Sequence, residues 1–310
     1  MKVGAVLRVG LMATCLAGCD GLELFNTAPP VDTPAVAVPK PPSEASLSAA
    51  QYYGRVEQGH VTRGLLRGDG GGVDTPFDAD DLAREFLIIA LQREFSDAGS
   101  GLVRRAEASG LHRWLGPVRI EPVFGASVGA DQMAKDTADI RKIASRLSSV
   151  TRHPVSSVRQ GGNFQVLIVS EDERRAIGPE LRRLLPEIRD REVRAVERLD
   201  RGNYCVVLTS APGNDGVLTR AVAVIRSELP PMLRLSCIHE ELAQGMGLPN
   251  DSDSARPSIF NDDDEFGRLT VMDEMMLGML YSPRLTPGMD AETAKPIVKA
   301  LADAQFAEAS

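Results

Sequence analysis

The chain has 310 residues, 43% hydrophobic and 25% charged, enough apolar material for one large domain or two small ones. Its formal charge is −8, and −10 without residues 1–18, which carry Lys2 and Arg8 and no acid. That balance argues against nucleic acid or an anionic lipid surface as a non-specific partner, and aromatics at 5% leave the core to Leu, Ile, Val, Ala and Met.

The N-terminus opens with a basic stretch, Met1-Lys2 to Arg8, followed by a short apolar run, Val9 to Ala17. The run is too short to span a bilayer. It ends in Leu16-Ala17-Gly18-Cys19, which resembles the lipobox of bacterial lipoproteins. The resemblance implies a signal peptide over 1–18, lipidation of Cys19 and a membrane-anchored domain facing the periplasm. By similarity to enteric lipoproteins, Asp20 favours the inner membrane. An ordinary secretory signal with an incidental Cys is the alternative. Residues 19–45 are Pro-rich and lack hydrophobic periodicity, so they read as a semi-rigid tether.

Cys15 then leaves with the signal and Cys19 is acylated. Cys205 and Cys237 remain in an oxidising compartment. A disulfide between them is the economical assignment, with two buried thiols as the alternative. Closing a loop of roughly 30 residues contributes on the order of 3 kcal/mol.

Order is expected to begin near Ser46, with a helix to about Glu57. Arg67-Gly68-Asp69-Gly70-Gly71-Gly72 is a flexible loop, and without a following Gly-Lys-Ser/Thr it is no phosphate cradle. Asp78 is placed to cap an amphipathic helix running to about Phe95, with Leu82, Phe86 and Ile89 on its buried side. Strand and helix then alternate. Strands are expected at Pro117–Phe124, Asn163–Ser170, Tyr204–Leu208 and Leu218–Val224. Helices are expected at Ala130–Ser149, Glu171–Leu185, Asp190–Leu199 and Pro231–Leu248. After an acidic loop, Asn250–Phe266, two more follow at Leu269–Tyr281 and Met289–Ala307. The arginines of 141–198 are interleaved with acids and read as solvated helix faces. Met246, Met272, Met275, Met276 and Met279 read as core.

The chemistry concentrates in Glu240-Glu241-Leu242-Ala243-Gln244-Gly245-Met246-Gly247-Leu248-Pro249-Asn250. Positions i and i+4 share a helix face, so Glu240 and Gln244 can point to one place, with Glu241 on the adjacent face. Read plainly, Glu240 and Glu241 are exposed helix charges, and Gln244 bonds Glu240 or Asn250. His239 has Ala243 at i+4 and reads as a surface or capping residue.

The same stretch resembles the metzincin pattern His-Glu-x-x-His-x-x-Gly-x-x-His. Glu240, Gln244 and Asn250 stand at the three histidine positions, Glu241 at the catalytic glutamate and Gly247 at the turning glycine. Ser258-Ile259-Phe260 is similar to the Ser-Ile-Met of the Met-turn. With all three histidines replaced, zinc is not expected, and no cofactor is required. Oxygen donors suit Ca²⁺ or Mg²⁺ better, and Asp251 and Asp253 stand beside the helix.

A closer resemblance covers about 75–290. Cys237–Asp251, Pro257–Asp262 and Leu280–Met289 are similar to the domain of unknown function 2927 family of proteobacterial lipoproteins. It implies no established activity. The expected fold is α/β (α+β): a zincin-like twisted sheet backed by long helices over 116–288, an N-terminal helical region over 46–115, and a C-terminal helix over 289–310. Three functions compete. The first is a non-catalytic lipoprotein binding a peptide or envelope protein along an edge strand, with a plugged pocket. The second is a hydrolase with Glu241 as general base in a concave pocket. The third is a structural or assembly lipoprotein with neither feature.

Overall fold

The stretch Phe164–Val169, five apolar residues and Gln165, is buried along its whole length. Such a strand needs neighbours on both edges and cover on both faces. The computed structural model describes residues 41–97 and 102–309. The signal sequence, Cys19, Asp20 and most of the tether lie outside the described residues. The described residues begin with α1 (Glu44–Thr62) and α2 (Ala79–Leu91), then the antiparallel pair β1 (Gln92–Asp97) and β2 (Leu102–Ala108), and β3 (Arg113–Trp114). Next come β4 (Val118–Phe124), α3 (Ala130–Thr151), β5 (Val155–Ser157) and β6 (Phe164–Val169). They are followed by α4 (Glu171–Arg175), α5 (Gly178–Leu184) and α6 (Asp190–Glu197). The last elements are β7 (Cys205–Ser210), β8 (Val217–Leu218), β9 (Arg220–Arg226), α7 (Pro231–Gly245), α8 (Val271–Leu280) and α9 (Ala291–Ala309).

The main sheet has the order β5-β4-β6-β9-β7. Its first four strands are parallel. β7 runs antiparallel to β9, with Cys205 opposite Ile225 and Ser210 opposite Arg220, and forms one edge. Side chains alternate between the faces. Phe164, Val166, Ile168, Ala221, Ala223 and Ile225 join the large core with α3, α7 and α8. Leu167, Val169, Val222 and Val224 join a smaller core with Leu181, Leu184, Val193 and Val196 of α5 and α6. The architecture is therefore mixed α/β, helix on sheet on helix, with flanking N- and C-terminal helices. The described residues pack as one unit.

Local chemistry sets the boundaries. Asp78 accepts from the Asp80 and Asp81 amides and completes a capping box, a motif that contributes about 1 kcal/mol. α2 stops at Leu91, short of Phe95, and the following residues pair as a strand. The stretch 46–115, expected to be helical, thus contains β1, β2 and β3. The helix expected over Glu171–Leu185 breaks into α4 and α5, because Pro179 lacks an amide proton and starts a new helix. No helix among the described residues is long and apolar enough to cross a membrane.

Candidate functional site

Helix α7 is held at both ends by side chains from elsewhere. Its N-cap, Pro230, offers no side-chain acceptor. The Glu57 carboxylate of α1 replaces it, accepting from the amides of Met232 (2.8 Å) and Leu233 (2.9 Å). At the other end, Trp114 Nε1 donates to the Gly245 carbonyl and Tyr281 Oη to the Met246 carbonyl, both at 2.9 Å. One turn in, Arg234 Nε lies 2.9 Å from both carboxylate oxygens of Asp136, a buried pair that fixes α7 to α3. Gly247 then reverses the chain at φ +122°, and a Cβ there would lie 2.1 Å from the His112 carbonyl oxygen.

One face of α7 opens into a cleft of about 300 Å³. Ser236, Glu240, Glu241 and Gln244 form its helical wall. Cys205, Val206, Val207 and Thr209 of the edge strand β7 form the opposite wall. The rim comes from Tyr204 and from the loop after α7, with Asp251, Ile259, Asn261, Asp262 and Asp264. The Cys205–Cys237 disulfide, Cα–Cα 5.9 Å, joins the two walls directly.

Of the residues named from sequence, Glu240, Glu241, Gln244 and Asp251 meet in this cleft. Glu241 is 3% exposed. Gln244 Nε2 donates to Asp251 Oδ1 at 3.4 Å. Asn250 lies outside the lining: its Nδ2 donates to the Ile88 carbonyl (3.1 Å) and the Asp251 carbonyl (2.9 Å), anchoring the loop to α2. Asp253 is exposed and also outside. Among the described residues, no three His, Cys, Asp or Glu side chains are grouped to hold a metal ion. The pocket is open, where the binding-module reading expected a plugged one.

His239 corrects its expectation. It is 5% exposed, and its Nδ1 accepts from the Leu269 amide at 3.1 Å. Burial pushes its pKa down to about 3, with Arg146 and Arg268 acting in the same direction. The neutral ring is a structural strut behind the cleft.

The far rim is set by Asp273, fully buried on α8. Its carboxylate accepts from Ser258 Oγ (2.6 Å), Thr270 Oγ1 (2.9 Å) and the amides of Ile259 (3.0 Å) and Thr270 (2.8 Å). Burial nevertheless raises its pKa to about 6, against the lowering by these donors. Asp264 is raised mainly by burial, with Asp262 and Asp263 pushing the same way and His60 opposing. Tyr204 is pushed up to about 12 by burial and then by Asp264.

Several supporting residues were not singled out from sequence. Ser236 stands four before Glu240, so helical spacing places it on the same face. Glu85 is three after Leu82 and four before Ile89, an acid on an apolar face, and it is wholly buried. Its oxygens accept from Ser252 (2.6 Å) and Ser254 (3.0 Å), fixing the loop beyond Asp251. Glu57 and Trp114 act through contacts made far along the chain, which local pattern does not signal.

No curated protein and no solved structure matches the chain. The model of the protein of unknown function family DUF2927 matches residues 79–300, a span that takes in the cleft and both of its walls, and the chain belongs to that family.

Proposed function

We propose that this is a lipid-anchored envelope protein whose domain binds an extended polypeptide along the free edge of β7. The carrying observation is that β7 ends the sheet and at the same time walls the cleft. An edge strand presents a row of backbone donors and acceptors that an incoming strand satisfies. The disulfide to α7 braces that edge, so little ordering is lost on binding. The resemblance of 240–250 to a metzincin centre with its histidines replaced supports a cleft that keeps its peptide and lacks zinc chemistry. The lipid anchor rests on Leu16–Cys19. It is tested by metabolic labelling with palmitate, which Cys19→Ser should abolish. Strand addition is tested by hydrogen exchange on the full-length protein in detergent, with a peptide panel added. New protection of β7 amides supports it, and a panel that binds while β7 stays unprotected removes it.

A second reading has one observation in its favour: the cleft is open and Glu240, Glu241 and Gln244 converge on it. In a hydrolase, Glu241 would take a proton from the water attacking a carbonyl carbon. A Ca²⁺ or Mg²⁺ ion near Asp251 belongs to the same reading. Hydrolysis of peptide or peptidoglycan fragments, lost in Glu241→Gln with the fold intact, would establish it. Elemental analysis of the same preparation reports any bound metal.

A further inference from the structure

The edge strand β7 has a hollow on each side of the sheet. We infer that the peptide received along β7 is held on both faces, an inference that rests on the strand-addition reading and adds its side-chain requirement. One residue faces the α7 cleft. Its neighbour puts an aliphatic side chain, leucine, isoleucine or valine, into a second hollow between β7 and the segment joining α5 to α6.

On and just after β9, the Ala221 amide donates to the Asn163 carbonyl and the Ser227 amide to the Val169 carbonyl. The odd-numbered residues of β9 thus serve β6, and the even-numbered ones, Arg220, Val222 and Val224, serve β7. Their partners are Ser210, Leu208 and Val206. Cys205, Val207 and Thr209 therefore turn their amides and carbonyls toward the open edge, where no further strand pairs among the described residues. Side chains alternate as well. Those of Cys205 and Val207 pack with the large core on the α7 side, and those of Val206 and Leu208 with the smaller core beside α5 and α6. Directly opposite residues of paired strands share a face. A residue laid opposite Thr209 thus lies on the α7 side, and one laid opposite Leu208 or Ser210 lies on the other.

The second hollow encloses about 180 Å³. That is less than the pockets that take a small organic molecule, and it suits one side chain. Leu185, Ile188, Leu208 and Ala211 give it an aliphatic lining. Of its charged members, Arg189 and Glu192 are bonded to each other, Nε to Oε1 at 2.9 Å, and Glu187 is exposed to water. Both hollows reach Thr209. An extended backbone satisfies the outward groups of β7 and reaches both hollows at once, because its side chains alternate with a period of two. A compact ligand would fill one hollow only, and a helix would leave the edge unpaired.

The test uses full-length protein in detergent and an alternating Leu-Thr octapeptide with a solubilising glycol tail. Photo-leucine, a diazirine analogue, replaces one peptide residue at a time. The expected cross-links alternate: from a Leu position to residues 185–192, and from the adjacent Thr position to residues 236–244 of α7. Ser210→Leu fills the second hollow and should weaken peptide binding at least about tenfold. Ser210→Ala leaves the hollow open and should bind as the native protein does. An unchanged Tm checks the fold of both variants. If β7 amides are protected but every cross-link falls on one face, strand addition stands and this inference falls alone. The same holds if Ser210→Leu binds the peptide as tightly as Ser210→Ala. If the peptide leaves β7 unprotected, both fall. Protection that rises with protein concentration and needs no peptide identifies a second copy as the occupant of the edge, and the inference falls.

Discussion

The Nδ1 atom of His239 accepts the Leu269 amide proton at 3.1 Å. The residue directly before the two cleft glutamates therefore serves the loop behind them. That bond requires an unprotonated Nδ1, and burial holds the ring pKa near 3, well below its ordinary value. The unfolded chain takes up this proton near pH 6.5 and the folded protein only near 3, so stability is lost as pH falls through that window. Relative to His239→Leu, the native protein should lose about 1.4 kcal/mol per pH unit between roughly 6 and 4. Urea unfolding at several pH values measures the difference, and parallel curves would refute it.

Reduction of Cys205–Cys237 should destabilise the protein by about 3 kcal/mol, since the bond closes a loop of 32 residues. The double replacement Cys205→Ser with Cys237→Ser should behave as the reduced protein does. Thermal unfolding with and without a phosphine reductant is the readout. Hydrogen exchange should show the added freedom first in β7.

Asp273→Ala removes the acceptor of four donors around the 258–270 loop. It should cost about 3 kcal/mol. The native carboxyl has a folded pKa near 6, above its unfolded value near 4. Its contribution is therefore complete below pH 4 and declines as pH rises toward 6. The native protein's lead over the variant should be larger at pH 4 than at pH 7.

Gly247→Ala places a Cβ against the His112 carbonyl at a backbone angle that side chains rarely adopt. The expected loss exceeds about 2 kcal/mol, because the nearest atom, at 2.1 Å, is backbone and cannot swing away. Chemical denaturation measures it. A neutral result would show that the turn relaxes.

Most of the main sheet was legible because β6 is apolar apart from Gln165, β9 is apolar between its terminal arginines, and α3 keeps a 3.6-residue period. The disulfide was legible from the expected compartment and the number of cysteines. Glu240, Glu241 and Gln244 were brought to one cleft as their spacing implied. Asn250 was misread because its partners, the Ile88 and Asp251 carbonyls, are set by how α2 packs on the loop. His239 was misread for a related reason. A histidine without an i+4 partner looks peripheral in one dimension, yet its acceptor atom meets an amide thirty residues away. The open pocket depends on where the 250–266 loop runs, and Glu85 and Asp273, both buried on distant helices, decide that path.

The capping of α7 by Glu57 carries one more consequence. Ser46 Oγ also donates to Glu228 at 2.6 Å, so α1 is bolted both to the turn that precedes α7 and to the first amides of that helix. A pull delivered to the beginning of α1 is therefore borne by the helix that walls the cleft, and not by a loop.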